Sequence, residues 1–396
     1  MNAKAFMLLL ALAALAATGA YFLAFQPAAT APRSKNTAAG GAATDARLAP
    51  ILTERADDIA RVTITTASAS GDADAVDLTR DGDEWRLASK ANFPAEPDRV
   101  RQLITTLSEL RTAEPKTANP DLHNRLAVQW PDSTERDPDD FSPRPTLVSI
   151  TDADGEPITE IVLGDTTYAG GGPRQYARLL NDNQSWLLSA SVTIPRGPLG
   201  FANTRFVELP RDSVQSVTIT HVGGETLELT RDDPEADFNV ANLPEGATMK
   251  NQALANNTGN SLAFVNFTDV AELEVDPGKY MNEWNQAPAE GPGVLIEELG
   301  ALAFAYFTTF DNQEYAFFID ANDDDKETGS GWVTANASGE GTENFLEKFG
   351  HRRVKLNAGT IESLTRKPSE LIETPAIDDT DPSPDDTPGL PPPTDG

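Results

Sequence analysis

The chain contains no cysteine. Disulfides, thiolate zinc sites, iron–sulfur clusters and cysteine nucleophiles are excluded together. Compartment stays open, because exported proteins also dispense with cysteine. Histidine is rare too: His123, His221 and His351 are scattered, none with a partner at metal-ligand spacing. Each reads as a plain surface or hydrogen-bonded residue. Basic residues number 31 against 62 acidic ones, a net charge of −31. Such a surface repels phosphate backbones and anionic headgroups, so no nucleic-acid partner is expected. Solubility or salt adaptation accounts for the charge without any partner; attraction of a cationic partner is the functional alternative.

Catalytic motifs are absent as well. No Gly-x-Ser-x-Gly elbow occurs. Gly170-Gly171-Gly172 precedes Pro173 and Arg174, but no Lys-Ser/Thr follows, so it reads as a loop and not a phosphate cradle. Asp320, Asn322 and Asp324 begin like a calcium loop. The pattern then breaks, with Asp325 where a sharp-turn glycine is needed and Gly331 where a bidentate Glu belongs. In a chain this acidic, any one pair of carboxylates is uninformative. No catalytic, cofactor-binding or metal-ligating residue is therefore assigned, no cofactor is expected, and the expectation is a protein that is not an enzyme. Two alternatives stay open: an exported acidic hydrolase using an Asp/Glu pair, and a calcium-dependent binding module.

What is present begins with Ala5–Phe25, an uncharged, mostly apolar run of 21 residues. At about 1.5 Å rise per residue it matches a hydrocarbon core roughly 30 Å thick. Tyr21 and Phe22 fall where an interfacial aromatic belt lies. A signal peptide has a shorter apolar region, and cleavage after Ala14-Leu15-Ala16 would leave Tyr21–Phe25 on the mature end. A retained transmembrane helix is expected within residues 1–27. Lys4 on one side is balanced by Arg33 and Lys35 on the other, so positive charge does not set orientation. Export of the polar region is expected, which gives a single-pass protein of the inner (cytoplasmic) membrane facing the periplasm.

Residues 28–50, rich in Ala, Pro, Gly and Thr, read as a tether. Residues 374–396, rich in Asp and Pro, read as a disordered tail. Between them a pattern recurs. Val62-Thr63-Ile64-Thr65 returns as Val217-Thr218-Ile219-Thr220, and Leu78-Thr79-Arg80-Asp81 as Leu229-Thr230-Arg231-Asp232. An aromatic follows each time (Trp85, Phe238), then a proline (Pro94, Pro244). The alternation is that of half-buried strands, with turns at Gly71 and Gly223-Gly224.

A helix is expected after each hairpin. Val100, Leu103, Ile104, Leu107 and Leu110 form one apolar stripe behind Pro97 and Asp98. Leu254, Ser261, Leu262 and Val265 form a weaker one, interrupted by Gly259. Strands then follow: 146–151 and 158–163 around Asp154-Gly155, 176–180 and 186–188, 301–310 and 315–319, and Trp332-Val333. The expected fold is α+β: duplicated hairpin-helix-meander units with antiparallel sheets at 51–205 and 206–373, plus one N-terminal transmembrane helix.

These features resemble a known family. Leu78-Thr79-Arg80-Asp81, Trp85-Arg86-Leu87, Phe93-Pro94-Ala95 and the Asp98–Leu110 helix are similar to the envelope proteins catalogued as domain of unknown function 4340. So is Phe206-Val207-Glu208-Leu209-Pro210 leading into Val214–Ile219. The resemblance implies one N-terminal membrane helix and an accessory role beside ABC-type export or gliding-associated transporter components. It assigns no catalytic residue.

Overall fold

The computed structural model describes residues 45–67, 75–131, 142–168, 171–273, 300–320 and 328–373. The anchor, most of the tether, the turn at Gly71, most of the calcium-like loop and the acidic tail lie outside them. Among the described residues no helix is long and apolar enough to cross a membrane. The chain is already in place at the end of the stretch read as tether. Leu48 and Ala49 are buried, and the Leu48 amide donates to the Leu110 carbonyl at 2.8 Å.

The fold is mixed α and β with antiparallel sheets. In the first sheet, β1 (Arg61–Thr66), β2 (Ala75–Asp81), β3 (Glu84–Leu87), β4 (Phe93–Pro94), β5 (Thr112–Pro115), β6 (Thr146–Thr151), β7 (Pro157–Thr167), β8 (Arg174–Leu179) and β9 (Trp186–Leu188) lie in the order β4-β3-β2-β1-β6-β7-β8-β9-β5. The second holds β10 (Arg205–Val207), β11 (Val214–His221), β12 (Thr226–Thr230) and β13 (Asn239–Val240). The short strand β14 (Thr248–Met249) stands apart, and β15 (Val265–Glu272), β16 (Ala301–Thr309), β17 (Glu314–Asp320), β18 (Gly331–Ser338) and β19 (Arg352–Leu356) complete the second sheet. Its order is β10-β15-β19-β18-β17-β16-β11-β12-β13, while β14 pairs with β20 (Ile372–Glu373). Read from β2, the first sheet runs β2-β1-β6-β7-β8-β9-β5; read from β12, the second runs β12-β11-β16-β17-β18-β19-β15. Strand for strand, the connectivity is the same.

Alternation creates the core. Leu78, Val62 and Ile150 face one another across three strands, as do Val76, Ile64, Val148 and Ile161 across four. In the second sheet one row runs Leu227, Ile219, Ala305, Phe317 and Ala335. All these residues are buried. A fully buried Leu, Val, Ile or Phe contributes roughly 1.5–3 kcal/mol, so these rows dominate what holds each sheet to its covering helix.

The helix Pro97–Glu109 starts on Pro97 and buries Val100, Leu103 and Leu107. The second helix is shorter than its stripe implied. It spans Gln252–Gly259, and Val265 opens β15 instead of extending it. Gly259 sits against the ring of Phe238, where an added Cβ would lie 2.4 Å from two ring carbons. Close packing, and not helical periodicity, sets this segment.

The two sheets share one hydrophobic core. At their seam the Phe93 ring on β4 meets Phe267 on β15 at 5.2 Å, edge to face. Phe349, from the helix Glu343–Phe349, touches Phe93, Phe267 and Phe206 at 5.8, 6.0 and 4.9 Å. Polar links run beside the rings. Lys90 Nζ lies 2.7 Å from Asp269, and Arg352 donates to the Ala91 and Asn92 carbonyls at 2.9 and 3.2 Å.

Phe349→Ala is expected to cost about 3–5 kcal/mol through the cavity it leaves. Because the ring touches both sheets, a single urea transition should move to lower midpoint; two separated transitions would contradict a shared core. Gly259→Ala tests the smaller contact. Alanine normally favours a helix interior by roughly 0.5–1 kcal/mol, but the clash with Phe238 costs about 1–3 kcal/mol. The midpoint should therefore fall with an unchanged denaturant slope.

Candidate functional site

Strands β7 and β8 are covered on their outer face by a 3₁₀ segment, Pro120–Leu126. Asn119 starts it, its side chain accepting from the Asp121 amide at 3.1 Å. Ala127 ends it in the left-handed conformation, φ 51°. Val128 follows, fully buried. The segment lies so close to β7 that a Cβ on Gly164 would stand 2.2 Å from the Leu126 carbonyl oxygen. Only glycine admits that approach. The base of the segment is tied by Ser185, whose hydroxyl donates to the Thr117 carbonyl at 2.8 Å and accepts from the Thr117 amide at 3.1 Å.

Where the segment leaves β8, a cleft of about 570 Å³ opens, lined by His123, Asn124, Trp130, Arg178, Leu180 and Asn183, with Pro120, Asp121 and Gln129 completing the wall. His123 is buried and donates from Nε2 to the Asn183 carbonyl at 2.9 Å. Arg178 is 5% exposed. Its Nε donates to the Val128 carbonyl at 2.7 Å, and Nη1 to those of Leu179 and Leu180 at 3.1 and 2.8 Å. Burial presses the Arg178 guanidinium below its ordinary value, and the Asp182 carboxylate opposes the shift from a distance. Among the described residues no carboxylate forms an ion pair with it.

Two other buried arginines show what is unusual. Arg366 is bridged to Glu362 and Glu370 at 3.0 and 2.6 Å. Arg231 spends all three nitrogens on the carbonyls of Val214, Pro234 and Arg211, between the rings of Phe238 and Phe310. Among the described residues Arg178 Nη2 has no acceptor, as Arg366 Nε has none, but Arg178 also lacks the carboxylates that meet the charge of Arg366. The cleft thus offers a buried cation, side-chain amides and an indole, which suits binding of an acceptor. It brings together no nucleophile with a base.

The strand alternation gave no sign of this site. It places Arg178 on the face away from the core, where a charged residue reads as solvated; its burial comes from Val128, 50 residues earlier. The histidines are dispersed: His221 is buried with Nε2 donating to the Arg366 carbonyl at 3.2 Å, and His351 is exposed. Gly171 and Gly172 stand before β8 with open space around them. Among the described residues no three of His, Asp and Glu converge as metal ligands. Asp320, the first position of the calcium-like loop, ends β17. Burial raises its carboxyl above the ordinary value, and the charge of Arg353 opposes this.

A family model described as "Domain of unknown function (DUF4340)" matches residues 85–282, half of the chain. No curated protein and no solved structure matches.

For Asp320 the folded pKa lies above the unfolded one, so its buried charge costs stability at neutral pH, and the cost disappears as pH falls below the ordinary carboxylate value. Asp320→Asn should raise the thermal midpoint at pH 7, with the gain shrinking on acidification. A loss at pH 7 would show instead that the charge is held by a partner.

Proposed function

The chain belongs to the DUF4340 family, and from that membership we propose that it is a membrane-anchored, non-enzymatic accessory protein of the cell envelope. The observation that carries the reading is the uncharged run Ala5–Phe25, long enough to span a bilayer and followed by a polar, strongly acidic remainder. The family resemblance adds the partner class: ABC-type export or gliding-type transporter components. In this reading the molecule is a single-pass protein of the inner membrane, with residues 45–373 on the periplasmic side.

The finer architecture fits the same role. The matched connectivity of the two sheets, together with the recurring Val-Thr-Ile-Thr and Leu-Thr-Arg-Asp segments, is read as duplication of one hairpin-helix-meander unit. Two such units fused through one core give a rigid, broad surface suited to docking, while the residues assigned to an anchor and tether hold that surface near the membrane. A hydrolase would need a second carboxylate converging on one of raised pKa; among the described residues the charge acting on Asp320 is that of Arg353.

Fractionation and co-purification test the proposal together. The full chain should sediment with membranes and resist alkaline carbonate, and removing residues 1–27 should release it. A reporter at the C-terminus should be cut by protease added to spheroplasts. From detergent-solubilised membranes it should co-purify with a transporter permease and ATPase. A full chain that stays soluble overturns the anchor; a membrane protein that runs alone overturns the accessory role.

A further inference from the structure

We infer that the cleft between residues 120–130 and the end of β8 binds a small carboxylate-bearing ligand, its carboxylate taken by the free N–H groups of Arg178 Nη2. The first ground is the arithmetic of donors. Arg178 lines the cleft although the residue as a whole is 5% exposed. Four carbonyls, of Val128, Leu179, Leu180 and, at 3.5 Å, Asp182, account for Nε and Nη1. Among the described residues Nη2 has no acceptor, yet it is not sealed from solvent, since it is absent from the buried atoms that lack a partner. The cleft that Arg178 lines is where that nitrogen can meet a ligand. A guanidinium taken this far from water is costly unless its charge is met. The carbonyls meet it only in part, and among the described residues no ion pair completes it, in contrast to Arg366.

The second ground is what else lines the cleft. Asn124 lies on the wall, and its side-chain amide makes no hydrogen bond within the described residues, while the Trp130 indole offers an apolar face. A carboxylate attached to a compact amide or aliphatic body satisfies all three groups at once. His123 is fixed by its bond to the Asn183 carbonyl and holds the wall in shape.

Phosphate offers the same oxygen chemistry, and charge decides between the two. Net charge is −31, Asp121 lies on the wall, and Asp182 stands close enough to act on Arg178. Repulsion from these groups grows with each negative charge on the ligand. A monoanion is therefore preferred to a phosphate dianion. The inference stands apart from the accessory role, because its test needs only the purified protein and a small molecule.

The probes are N-acetylalanine, its uncharged amide and inorganic phosphate, each titrated by calorimetry into the full chain in detergent micelles. The acid should bind saturably, and the amide and phosphate each at least about tenfold more weakly, the scale of a lost charge-assisted contact. Arg178 also donates to four carbonyls, so its own replacement risks the fold. Asn124→Asp instead places a negative charge at the mouth on an exposed position. It should weaken the acid about tenfold while the thermal midpoint stays put. Equal binding of acid and amide, no binding of the acid, phosphate binding more tightly, or an Asn124→Asp chain that binds like the native one would each overturn the inference.

Discussion

The arrangement of the two sheets depends on one strained turn. Ala91 and Asn92 both adopt the left-handed conformation, φ 52° and 49°, with no glycine to relieve it. Each such residue costs on the order of 1 kcal/mol or more and persists only where its surroundings over-determine it. Here the surroundings belong to the other sheet. Arg352 of β19 takes the carbonyls of both residues, Lys90 just before them pairs with Asp269 of β15, and Phe93 just after them enters the ring cluster. The left-handed pair aims two carbonyls outward in the same direction, a geometry no extended segment offers to a single guanidinium. Strain in one half is offset by hydrogen bonds and ring packing from the other, so neither half presents this surface at its lowest energy alone.

The family match runs across that seam. It begins at Trp85 and ends at 282, and so coincides with neither sheet. It starts on β3 of the first sheet, passes through the Phe93 turn and the Pro97–Glu109 helix, and runs on to β15 of the second. Three of the four seam rings, Phe93, Phe206 and Phe267, lie within it, while Phe349 and Arg352 lie beyond its end. The matched stretch therefore spans the joint between sheets. A description of the chain as two self-contained modules would cut through the contacts that the family model spans.

Much of the fold was legible because strands with one apolar face advertise it. Val62 and Ile64, Val148 and Ile150, Val217 and Ile219 alternate cleanly, and each row ends up facing the core. The first helix was equally clear, since four of its stripe residues recur at helical spacing and pack inward. Legibility failed where long-range contacts override local pattern. The Gly259–Phe238 contact ends a helix that the stripe would continue. Strand β19, Arg-Arg-Val-Lys-Leu, carries three cations and reads as surface, although Val354 and Leu356 are buried. Centre strands of the second sheet bury residues on both faces, with Ala303, Ala305 and Phe307 in the main core and Phe304 in a second cluster, so alternation is erased there. The candidate site was the least legible of all. Arg178 becomes special through Val128 and Gly164, neither of which marks itself in sequence.

The contrast between surface and interior charge gives that site its meaning. A chain of net charge −31 might be thought to stabilise any cation it buries. The range of the interaction argues otherwise: at physiological salt, exposed charges are screened beyond roughly 8 Å. Burial accordingly lowers the pKa of Arg178, Arg231 and Arg352 in spite of the acidic exterior. What keeps these guanidinium groups inside is local, namely carbonyls aimed at each N–H. Arg231 shows the completed form, with a carbonyl for every nitrogen. Arg352 does the same work across the seam, where its bonds fix one sheet against the other. Arg178 departs from them by one nitrogen, and that nitrogen opens on a cleft. The acidic groups close to it, Asp121 and Asp182, then act as a filter and not as a source of affinity, since they oppose a dianion more than a single carboxylate that completes the coordination the carbonyls began.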